Sequence, residues 1–146
     1  MKLSVHLGAL LNPHFKNWEA LHNFGESFGG CLQKFDDIGN FNLKAESKKH
    51  LEDLLLRRPT WIWSVFSEHA TESEWTHFLS AVKSLPCIKK LEIFLDNTNL
   101  KKQAFELALI DLNNNLDSLR KSFSLQKNGP AFQLALSLTK KLSYAY

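Results

Sequence analysis

The sequence is poor in the residues on which most recognisable chemistry is built. It has two cysteines, Cys31 and Cys87, and no C-x-x-C pair, which excludes the cysteine-based zinc ribbons and fingers. With no secretion signal ahead of them, both thiols are expected to be reduced and in the core. There are six glycines, yet neither G-x-G-x-x-G nor G-x-x-x-x-G-K-[ST] occurs, so the glycine-rich loops that cradle phosphates are excluded. No apolar run approaches the roughly 18 residues that span a bilayer. The apolar stretch Met1 to Leu11 is too short for a signal peptide and has only Lys2 ahead of it. A cytoplasmic, or otherwise intracellular, location is expected, with the nucleus and organelle matrix included. Charge of one sign is also scarce: the formal net charge is +3. That is less than the clustered basic excess of most nucleic-acid-binding domains.

What the chain does have is bulk. Hydrophobic residues make up 44% of its 146 positions and include 11 Phe and 4 Trp, enough to build a core. The length suits a single domain covering residues 1–146.

The apolar pattern alternates between two periods. Lys2 to Gly8 places Leu3, Val5 and Leu7 on one side, a period of two that predicts a strand. Asn12-Pro13 then opens a helix carrying Phe15, Trp18, Leu21, Phe24, Phe28, Leu32 and Phe35, which Gly29-Gly30 weakens. Further strands are expected at Phe41–Leu43, Trp61–Phe66, Leu91–Leu95, Ser122–Leu125 and Leu142–Tyr146. Helices are expected between them, over Ala45–Leu56 and from Ser73, Asn97-Thr98 and Asn128-Gly129-Pro130 onwards. Strand and helix in alternation predict an α/β fold with a parallel sheet.

Two features suggest repetition. Ala104-Phe105-Glu106-Leu107-Ala108-Leu109 recurs as Ala131-Phe132-Gln133-Leu134-Ala135-Leu136, with five of six residues identical and a separation of 27 positions. Basic pairs also precede four of the expected strands: Arg57-Arg58, Lys89-Lys90, Arg120-Lys121 and Lys140-Lys141. At the ends of crossover helices such pairs complement the macrodipole and form a basic rim along one edge of the sheet.

Leu85, Ile88, Leu91, Ile93 and Asn97, followed by Leu112, Leu116, Leu119, Phe123, Leu125 and Asn128, resemble the L-x-x-L-x-L-x-x-N pattern of leucine-rich repeats of the long, ribonuclease-inhibitor type, best over about residues 75–146. The resemblance implies a short curved solenoid whose strands line a concave binding face, and it implies no enzyme activity. The alternative architecture is a doubly wound, flavodoxin-like sheet. Its ligand or catalytic site would lie at the strand C-terminal ends, with His6, Glu46, Glu68, His69 and Asp96 as candidates.

Chemistry is otherwise thin. His69 and His77 flank Glu72 and Glu74, a grouping that a solvated capping turn explains as well as metal ligation does. No serine sits in a nucleophile elbow, and no cofactor or metal is expected. The strand faces supply the stronger expectation. With Leu91, Ile93 and Leu95 pointing inward, Glu92, Phe94 and Asp96 point outward, and Ile62, Phe66, Ser124 and Gln126 share their face. Ile62, Phe66 and Phe94 then form an apolar centre inside a polar rim, which suits a protein partner. The expected function is a non-enzymatic interaction module or assembly subunit that binds through this face. The basic rim offers a weaker route to nucleic acid.

Overall fold

The computed structural model describes residues 17–41, 52–56, 58–124, 129, 132–133, 136–137 and 139–141. Every regular element named among them is a helix: α1 (Trp18–Asn40), α2 (Glu52–Leu55), α3 (Trp61–His69), α4 (Glu72–Lys83), α5 (Lys89–Asp96) and α6 (Leu100–Ser122). No strand occurs among the described residues. The expected α/β parallel sheet is therefore overturned, in its leucine-rich-repeat-like solenoid form and in its doubly wound form alike. The expected strands at Lys2–Gly8 and Leu142–Tyr146 lie outside the described residues, as do Asn42 and Leu43.

Each misread segment has a physical reason. In α3, Ile62, Val65 and Phe66 are buried, a spacing of i, i+3 and i+4 that belongs to a helix. Trp61 to Phe66 is β-rich in propensity, but it is apolar nearly all round, as a helix inside a core also is. Its start is fixed from a distance. The buried Asp37 carboxylate accepts the Trp61 backbone N–H at 2.7 Å. It thus does the capping work that the Thr60 side chain, at the N-cap position, does not do. In α5, Leu91 and Phe94 are buried while Ile93 is 53% exposed. The helical period places Leu91 with Phe94, whereas the strand reading placed Leu91 with Ile93. Ser122 closes α6, and Ser124 follows in the left-handed region at φ 48°, donating its N–H to the Lys121 carbonyl.

The helices expected from Ser73 and from Asn97-Thr98 are present as α4 and α6, and the one expected from Asn12-Pro13 is described from Trp18 as α1. Of the helix expected over Ala45–Leu56 only Glu52–Leu55 is described as helix, and the one expected from Asn128-Gly129-Pro130 lies largely outside the described residues. The apolar face of α1 buries Phe28, Cys31, Phe35 and Ile38, and it runs unbroken through Gly29-Gly30. The start of α4 is written in a capping box. Glu74 N–H donates to Thr71 Oγ1 at 3.3 Å, and Glu74 Oε2 accepts from Thr71 N–H at 2.8 Å. This is two residues ahead of the expected cap at Ser73.

The chain divides into two compact units, Met1–Gln33 with Ala108–Tyr146, and Lys34–Leu107. The first has Phe28 and Cys31 of α1 and Ala108, Leu112 and Leu116 of α6 in its core, with Phe132. Within it, Asn17 Nδ2 donates to the Ser122 carbonyl, tying the start of α1 to the end of α6. Asn115 Nδ2 donates to Cys31 Sγ. The second unit is centred on aromatic rings. Phe78 is fully buried, with ring centroids 5.1 Å from both Trp63 and Phe66, 5.6 Å from Phe94 and 5.7 Å from Trp75. Trp61 donates its indole N–H to the Ala104 carbonyl at 3.1 Å, and Lys34 Nζ lies 3.8 Å from the centroid of its ring.

The sequence similarity between Ala104–Leu109 and Ala131–Leu136 also takes a different meaning. The first segment lies wholly inside α6, so what recurs is an alanine-rich amphipathic helical pattern. It is not a strand-and-helix unit.

Candidate functional site

A concave feature of the second unit lies between α4 and α5. The two helices pack against each other and are joined by a tight connection at Ser84–Ile88. Ser84 holds that connection: its Oγ donates to the Ala81 carbonyl at 2.7 Å, and its carbonyl accepts the Cys87 N–H at 3.0 Å. Beside the packed helices opens a cleft of about 470 Å³, lined by residues of α4, α5 and the connection to α6.

Each helix supplies one stripe. Glu74, His77 and Ala81 stand at i, i+3 and i+7 on α4, with Ser80 beside them. Lys90, Ile93, Phe94 and Asn97 stand at i, i+3, i+4 and i+7 along α5 and its C-cap. Helical spacing alone brings each set to one face. Phe94 forms part of the floor, and its ring also packs edge-on against Phe66 at 5.2 Å. The aromatic cluster therefore buttresses the cleft from behind. Ile93 stands at its lip, largely in solvent.

The polar groups of the lining differ in how they are engaged. Glu74 accepts hydrogen bonds from the backbone N–H and hydroxyl of Thr71, which hold its carboxyl below the ordinary glutamate value. It is ionised at neutral pH, and its charge complements the N-terminus of α4. Asn97 Nδ2 donates to the Ile93 carbonyl at 2.8 Å and so closes the end of α5. Lys90 makes no ion pair with a described residue. The Thr98 hydroxyl oxygen is buried with no hydrogen-bond partner, an arrangement that costs about 1–3 kcal/mol when no partner is found.

The expected partner-binding residues are dispersed. Ile62, Phe66 and Phe94 do come together, but in the core of the second unit and not on an exposed strand face. They are buried because helical geometry turns all three inward. Glu92 is half-buried on α5, Asp96 is exposed near its end, and Ser124 is exposed beyond α6 in the first unit. Gln126 lies outside the described residues. Only Phe94 of this set lines the cleft.

The basic pairs form no sheet rim, there being no sheet. Arg57 lies outside the described residues, and Arg58 pairs with Asp53 at 3.2 Å. Lys89 and Lys90 open α5, at the helix end opposite to that expected. Arg120 and Lys121 do occupy the last turn of α6, while Lys140 and Lys141 are exposed. Of the alternative catalytic candidates, His6 and Glu46 lie outside the described residues. Glu68, His69 and Asp96 are exposed near the ends of α3 and α5. No group of three or more His, Cys, Asp or Glu able to hold a metal ion occurs among the described residues. Cys31 is buried as expected, but Cys87 is exposed. No described helix is long and apolar enough to cross a membrane.

The cleft was missed because its α5 stripe was read with a period of two. Read at 3.6, the residues Lys90, Ile93, Phe94 and Asn97 are a helix face carrying one large apolar residue more than burial needs. Comparison with known proteins returns no matching family, no matching curated sequence and no matching solved structure.

Proposed function

We propose that this chain is a non-enzymatic protein-interaction module or assembly subunit, and that it receives an apolar side chain of its partner in the α4–α5 cleft. The observation that carries the reading is the exposed Ile93 at the lip of a cleft floored by Ala81 and Phe94. A concave, mostly apolar surface with a few polar groups at its edge is the usual form of a binding site, and a buried anchor in such a pocket dominates interface energetics. A rigid floor favours affinity because little has to be ordered on binding.

The test is site-specific photo-crosslinking in native lysate. A benzophenone side chain placed at Ser80, in the cleft lining, is expected to capture one defined protein. Ile93→Asp should abolish that adduct while leaving the circular-dichroism spectrum unchanged, since Ile93 is exposed. The reading fails if the adduct survives Ile93→Asp. It fails equally if Ser80 captures no defined protein.

A further inference from the structure

We draw no further inference here: the strongest candidate, the α4–α5 cleft with Ile93 exposed at its lip, belongs to the site already described, and nothing in the structure shows what covers it.

Discussion

Replacing Phe78 by alanine removes the residue on which the second unit is centred. Its side chain is fully buried, and four aromatic rings surround it at centroid distances of 5.1 to 5.7 Å. Truncation of a buried Phe to Ala costs about 3–5 kcal/mol through lost transfer energy and the cavity left behind. Against a typical total of about 5–15 kcal/mol, such a loss is a large fraction of the stability. Phe78→Leu separates burial from ring geometry. Leucine keeps most of the apolar volume, so loss of packing shape alone costs under about 1.5 kcal/mol. Each aromatic pair is worth about 0.5–1.5 kcal/mol beyond its area, and pairs sharing one ring do not add fully. We therefore expect Phe78→Leu to cost about 2 kcal/mol. The assay is urea denaturation followed by tryptophan fluorescence in a Trp18→Phe background. The remaining reporters, Trp61, Trp63 and Trp75, then all belong to the second unit. A cost under about 1 kcal/mol for Phe78→Ala, at an unchanged m-value, refutes the placement of Phe78 at the centre of this core.

Four further outcomes follow from the helices. Gly30 lies exposed inside α1, and a Cβ there would meet nothing within 4 Å, so Gly30→Ala should stabilise the protein by about 0.5–1 kcal/mol in thermal or urea unfolding. Ser124 adopts φ 48° after α6. Left-handed backbone costs a non-glycine residue about 1–2 kcal/mol, partly offset by the extra unfolded-state freedom of glycine, so Ser124→Gly should raise stability by up to about 1 kcal/mol. Thr71→Ala should cost about 1 kcal/mol by removing the α4 cap. The Glu74 contribution has a definite sign with pH. Because its folded-state pKa is depressed, the stabilisation is fully present above the unfolded-state pKa and is lost as pH falls through the folded-state value. Unfolding midpoints of wild type and Glu74→Gln should therefore differ at neutral pH and converge in acid. A constant difference across that range rules out the capping-box account.

The amino-acid sequence by itself determined where long amphipathic helices form. Phe28, Cys31, Phe35 and Ile38 on α1, and Leu100, Ala104, Ala108, Leu112 and Leu116 on α6, keep one face apolar for many turns, and only a period near 3.6 fits runs of that length. The α4 start was legible only to within two residues: the capping box joins Thr71 to Glu74, three apart, whereas the cap was expected at Ser73. The state of Trp61–Phe66 and Leu91–Leu95 was not legible. Mostly apolar segments of five or six residues satisfy a period of two and one of 3.6 equally well, and the deciding partners lie far along the chain. For α3 the decision includes Asp37, 24 residues away, whose carboxylate caps Trp61. For α5 it is the aromatic cluster, which takes Leu91 and Phe94 inward and leaves Ile93 in solvent. The cleft is a product of that decision. Its lining residues share a surface only once both segments are helical and packed, because a helix stripe becomes one wall of a site only when a second helix supplies the other.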